Sequence, residues 1–145
     1  MMGNFQIILR LALAAVLSGV IGFEREVHGR AAGLRTHILV CVGSALIMLT
    51  SLYIFDIYIS RVSLDPTRLA TGVITGIGFL GAGTIIRSGA SIKGLTTAAS
   101  IWAVAGVGLA VGCGFYIGAF ATTAIMLIAL LFLRKVEDTV TTKKS

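Results

Sequence analysis

Two segments of this chain bring charged or hydroxyl side chains to the edge of long apolar runs. The first reads Glu24-Arg25-Glu26, followed by His28, Arg30, Arg35, Thr36 and His37. Mg²⁺ takes oxygen ligands, keeps several waters and is commonly bound through one or two carboxylates. Glu24 and Glu26 are therefore the candidate ligands for a hard cation, and the metal is unknown. The competing use of the same groups is a structural ion pair at a membrane edge. On a continuous helix Glu26 projects in line with Ala12, Ala15, Gly19 and Gly22, where Arg35, Arg87 or Lys93 could neutralise it, while Glu24 points the other way. His28 and His37 have no third ligand at zinc spacing.

The second segment is a polar turn bracketed by Arg87 and Lys93 and followed by Thr96, Thr97, Ser100 and Trp102. Thr96 and Ser100 share a helix face with Ala103, and Thr97 points toward the Gly108 and Gly112 side. Such hydroxyls bond the carbonyl four residues back or a neighbouring helix. The functional alternative is an oxygen-lined patch that meets a partner or a hydrated cation. Trp102 is either a packing anchor or a partner contact. Asp65 and Arg68 complete the set of polar candidates. No nucleophile–base arrangement occurs, so an enzyme is not expected. Cys41 and Cys113 lie within apolar runs, without CxxC or Cys/His spacing, and read as small apolar residues.

The elements that position these groups follow from composition. The 145 residues are 57% hydrophobic and 12% charged, with a mean hydropathy of +0.99. Soluble domains carry about a quarter charged residues, so the class is an all-α membrane protein. A spanning helix needs roughly 20 apolar residues. The chain reads as a single transmembrane domain over residues 1–145, with about five spans at 5–23, 37–55, 67–87, 94–112 and 115–133. The last two form one apolar stretch that would be about 60 Å long as one helix, twice the hydrocarbon core. It must fold back, and Gly112-Cys113-Gly114 is the natural break. Asp65 should cap the third helix, with Pro66 in its first position.

Gly76-Ile77-Gly78-Phe79-Leu80-Gly81 matches a dinucleotide fingerprint but lies inside an apolar span, where small residues instead let helices approach closely. Gly72, Gly76 and Gly83 fall within about 40° of one another on a helix, and Gly78 and Gly81 fall opposite. The third helix should thus have two packing faces and sit centrally. Gly108 and Gly112 give the fourth helix a similar face.

The net charge of +6 reads as topology and lipid headgroups rather than nucleic acid. Arg25, Arg30, Arg35, Arg87, Lys93, Arg134, Lys135, Lys143 and Lys144 fall on one side of a five-span arrangement, against Arg61 and Arg68 on the other. The N-terminus is then outside and the C-terminus cytoplasmic. Arg10, early in the first span, is expected to snorkel outward.

Four ordered motifs resemble the MgtC/SapB family of bacterial inner-membrane proteins. They are Gly22-Phe23-Glu24-Arg25-Glu26, Ala32-Gly33-Leu34-Arg35-Thr36-His37, Asp65-Pro66-Thr67-Arg68 with the glycine run at 76–83, and the segment from Lys93 to Trp102. The chain departs from many members in having Gly72 where they have Gln. It also has Thr96 where some have Asn and Ala103 where some have Cys. Many members carry an ACT-like cytoplasmic domain after the last helix. The resemblance implies a plasma-membrane protein linked to low Mg²⁺, acid stress and host-cell survival. It further implies a regulator of a membrane partner such as the F1Fo ATP synthase. The alternative is an oligomeric Mg²⁺ transporter or channel. The expected partners are the lipid bilayer and a membrane protein or a second copy. No cofactor is expected beyond Mg²⁺.

Overall fold

The computed structural model describes residues 2–59 and 65–133. Arg61, Arg134, Lys135, Lys143 and Lys144, used in the charge argument above, lie outside the described residues. The elements run α1 (Asn4–Val27), α2 (Leu34–Tyr58), α3 (Thr67–Gly83), β1 (Ile86–Ser88), β2 (Ser91–Lys93), α4 (Leu95–Cys113) and α5 (Tyr116–Ile128). A π-helical turn, Ala129–Leu133, continues α5. The protein is an all-α membrane protein: α1, α2 and α4 are long and apolar enough to cross a bilayer, and Tyr116–Phe132 is a shorter apolar helix.

α2 packs most extensively on α4 and α1, and these three helices form the centre. Their core joins Ala14, Leu17 and Ile21 of α1, Cys41 and Ala45 of α2, and Val104, Val107 and Val111 of α4, closed by Ala119 of α5. Small residues set the approach distances. A Cβ at Gly108 would collide with the Cys41 carbonyl, and one at Gly112 would lie 2.7 Å from the Ala45 carbonyl oxygen. A Cβ at Gly22 would lie 2.8 Å from Leu34 Cα. These are backbone-to-backbone contacts that only glycine permits.

The third helix corrects the expectation of a central element with two packing faces. α3 lies against α4 and α2 at the side of the bundle, less extensively than α2 packs on α4 or α1. A Cβ at Gly72, Gly76, Gly78 or Gly83 would meet nothing within 4 Å, and only Gly81 packs, with Ala98 Cβ at 3.6 Å. Periodicity places small residues on a common face; it does not say whether a neighbour covers that face. Between α2 and α3 this leaves an apolar groove of about 780 Å³, lined by Gly43, Gly72 and Gly76 among larger aliphatic residues.

α3 begins one residue later than expected, with Pro66 as its cap residue and Thr67 as its first, and Asp65 Oδ1 accepts hydrogen bonds from the Thr67 N–H at 2.8 Å and its hydroxyl at 2.7 Å. It ends at Gly83 rather than running to residue 87. The amides of Thr84 and Ile85 turn back to Gly81 and Ala82, and the β-branched pair Ile85-Ile86 leads into a strand. The polar turn is thus an antiparallel hairpin pairing Ile86 with Lys93, Arg87 with Ile92 and Ser88 with Ser91. Gly89, at φ 60°, takes the first central position of its two-residue turn, where a II′ geometry needs positive φ. The α4–α5 reversal falls at Gly114, φ 88°, at the expected break.

Candidate functional site

The polar residues gather where the end of α1, the start of α2 and the start of α4 meet. In α1, Glu24 and Arg25 turn inward and are buried, at 8% and 3% exposure. In α2, His37 is fully buried. In α4, Thr97 and Ser100 share one buried face. Arg25 Nη2 donates to Thr97 Oγ1 at 2.9 Å, joining α1 to α4. Ser100 Oγ lies 3.2 Å from His37 Nε2, joining α2 to α4. Three helices are tied together by two side-chain bonds over sequence separations of 72 and 63 residues.

The proton positions in this cluster are coupled. His37 Nδ1 lies 2.9 Å from the Gly33 carbonyl, an acceptor, so Nδ1 carries a hydrogen. The Ser100 hydroxyl is also 2.9 Å from the Thr97 carbonyl. With a neutral ring, Nε2 accepts and the single Ser100 proton must choose between His37 and Thr97. With an imidazolium, Nε2 donates and Ser100 keeps its bond to Thr97. The orientation of one hydroxyl therefore follows the charge on His37.

Glu24 and Glu26 do not converge. Glu24 Oε1 lies 3.0 Å from His28 Nδ1, and its Oε2 is buried without a hydrogen-bond partner among the described residues. Glu26 is exposed and accepts the Leu34 N–H at 2.8 Å, capping α2 from the neighbouring helix. A Cβ at Gly33 would fall on the Glu26 carboxylate, so a larger residue there would displace the capping side chain. The expected neutralisation of Glu26 by Arg35, Arg87 or Lys93 is replaced by this backbone amide, because the α1–α2 connection is short enough to bring the start of α2 against Glu26. Among the described residues no group of three or more His, Cys, Asp or Glu side chains could hold a metal ion.

The remaining candidates separate from the cluster. Thr96 is exposed, so it is Thr97 rather than Thr96 that joins Ser100 in the interior. Arg35, Arg68, Arg87 and Lys93 are exposed and Thr36 is half-buried. Asp65 sits at the start of α3 rather than in the cluster; the Thr67 hydroxyl, then the Thr67 amide, hold its carboxyl below its ordinary value. Trp102 is 53% exposed and is not a core anchor.

Two features escaped the sequence reading. His28, passed over as a zinc ligand, is the partner of Glu24. Arg10 has partners within the protein, at the α4–α5 reversal. Its Nη1 donates to the Gly112 carbonyl at 2.7 Å and its Nε to the Tyr116 hydroxyl at 2.9 Å, with the guanidinium 5.7 Å from the Tyr116 ring centroid. A cation there meets the negative end of α4. The signal was available, since a charge inside an apolar span needs a partner, but the partner lies 106 residues away.

Comparison with known proteins places these motifs. The model of the MgtC family matches residues 11–139. YhiD of Escherichia coli K12, a candidate magnesium transporter by its name, is 46% identical over 130 residues, which cover 88% of this chain and 60% of YhiD. SapB of Bacillus subtilis is 45% identical over 131 residues, covering 88% of this chain and 56% of SapB. MgtC of Salmonella typhimurium is 43% identical over 132 residues, covering 90% and 54%. The chain thus spans between 54% and 60% of the length of these curated relatives. No solved structure matches.

Proposed function

Because this chain belongs to the MgtC family, we propose that it acts in adaptation to low magnesium, acid stress or host-cell survival, as a regulator of a membrane partner. It is a multi-pass protein of the bacterial inner membrane, crossing five times with its N-terminus outside, and it is not an enzyme. The F1Fo ATP synthase is the partner that the family resemblance suggests.

The distribution of polarity supports a protein that works through helix faces. Arg25, His37, Thr97 and Ser100 bond one another or nearby backbone at one end of the bundle. The α2–α3 groove, in contrast, is lined by apolar side chains and glycine, with Ser44 and Thr50 as its only hydroxyls. An ion pathway is usually marked by ionisable groups at depth. At depth this chain carries Arg10, which is held by Gly112 and Tyr116.

The test is ATP-driven proton pumping in inverted bacterial membrane vesicles at saturating Mg²⁺, with and without the protein. Dose-dependent loss of pumping without added passive proton leak is the expected result. A second reading, an oligomeric Mg²⁺ transporter or channel, draws on the name of YhiD and on the buried Glu24 carboxylate. Unchanged pumping together with Mg²⁺ flux into protein-bearing liposomes would establish that reading instead.

A further inference from the structure

The β1–β2 hairpin is exposed along both strands. Three ladder pairs with no covering layer make a structure that is marginal at best in water. Its side chains are graded along its length. Ile85, Ile86, Ile92 and Leu95 are exposed at the root, where α3 ends and α4 begins, with Ile86 at 65% and Ile92 at 53%. The tip is Ser88, Gly89, Ala90 and Ser91. Arg87 and Lys93 stand level with the strand isoleucines, one on each face: Lys93 pairs with Ile86 and Arg87 with Ile92. Neither cation has a carboxylate partner among the described residues, and Arg87 spends only its Nε on the Gly89 carbonyl at 3.3 Å.

This grading matches the edge of a bilayer. Three strand residues span about 10 Å, and the polar zone of one leaflet is roughly 5–8 Å thick. With the isoleucines at the hydrocarbon boundary, Arg87 and Lys93, level with them, reach the phosphates by extending their long side chains, and the serine tip lies in water. Arg30 and Arg35, also exposed, crown the same end of the bundle through the α1–α2 connection. The hairpin is held to the helices at Gly94, φ 91°, where a Cβ would collide with the Thr84 carbonyl.

We propose that the β1–β2 hairpin is an interfacial anchor that binds anionic phospholipid headgroups through Arg87 and Lys93. The complementary charge selects an anionic lipid over a zwitterionic one, and the flanking isoleucines select a bilayer over a soluble anion.

The test uses the full chain in nanodiscs of phosphatidylcholine with or without phosphatidylglycerol, and in mixed micelles of both lipids. Native mass spectrometry reads which lipid is retained, and amine labelling located by peptide mass reads the accessibility of Lys93. The wild-type chain should retain phosphatidylglycerol preferentially and protect Lys93 only when that lipid is present. Arg87→Gln with Lys93→Gln should weaken the preference about fivefold for each cation removed, while Trp102 fluorescence and elution volume stay unchanged. Ile86→Ser with Ile92→Ser should reduce Lys93 protection with both cations intact, checked against the same two controls. An undiminished preference in the Arg87/Lys93 variant, lost instead in Arg30→Gln with Arg35→Gln, would overturn the assignment. So would equal Lys93 protection by inorganic phosphate in detergent, which would mark a simple anion site. Protection in phosphatidylcholine alone would also overturn it, since charge would then select nothing.

Discussion

The fourth helix and the third carry the same pattern of glycines four residues apart, with opposite results. Gly108 and Gly112 of α4 lie against the backbone of α2. Gly72 and Gly76 of α3 face a groove. The buried cluster follows the first arrangement: close approach of α1, α2 and α4 brings Arg25 within 2.9 Å of Thr97 and His37 within 3.2 Å of Ser100. The second arrangement leaves α3 and its hairpin as a side unit that offers apolar surface and cations outward. Small residues at helical spacing thus mark faces capable of close contact. Whether a face is used within the chain or left for lipid and partner depends on how many neighbours the helix already has.

The largest expected effect tests this contrast directly. Gly108→Leu and Gly112→Leu insert a side chain where a Cβ already meets main-chain atoms. Overpacking costs about 1–3 kcal/mol even where side chains can yield, and a backbone carbonyl yields least. Both variants should fail to accumulate in the membrane, by quantitative immunoblot of the membrane fraction. Gly78→Leu and Gly83→Leu, in open space, should accumulate at wild-type level. Loss of the α3 variants as well would mean that another molecule packs on α3 in the membrane, and the contrast would then be one between internal and external contacts.

A smaller effect separates two adjacent threonines. Thr97→Val removes the acceptor for a buried guanidinium, and hydrogen bonds to charged groups contribute about 1.5–3 kcal/mol. Thr97→Ser should retain most of that stability. Thr96→Val, on the exposed face, should change stability by less than about 0.5 kcal/mol. Thermal unfolding of purified protein in detergent ranks the three. Equal losses for Thr96→Val and Thr97→Val would mean that the Arg25 bond does not stabilise the helix junction.

Much of this was legible in the residues, and the failures have a common cause. Helix type, the start of α3 just after Asp65 and the break at Gly114 depend on local chemistry and agree with the structure. Three of the four motifs did mark the polar end of the bundle; the third, at residues 65–68 and the glycine run, lies along α3 instead. What local chemistry cannot supply is the rotation of each helix relative to its neighbours. Thr96 and Thr97 differ by about 100° around a helix axis, and only the placement of α1 and α2 makes Thr97 the inward one. The same limit hid the pairing of Arg10 with Tyr116 and misassigned the partner of Glu26. It also made α3 look central, since glycine periodicity is identical on a covered face and an open one.

The smallest expected effect lies at the start of α3, on the side unit. Asp65 is fully exposed, and its carboxyl is held below its ordinary value first by the Thr67 hydroxyl and then by the Thr67 amide. A depressed carboxylate binds fewer protons in the folded chain than in the unfolded one. Its contribution is therefore complete above the ordinary carboxylate range and is lost as pH falls through the lower, folded value. Asp65→Asn keeps an oxygen for the Thr67 amide but cannot titrate, so its melting temperature should fall less steeply than wild type below about pH 5. The effect should be confined to the unwinding of α3, with the α1–α2–α4 cluster unaffected, as read by hydrogen exchange at α3 amides against those of α4. Parallel changes in both helices would show that the side unit and the centre unfold as one, and would remove the energetic distinction between them while leaving the geometric one.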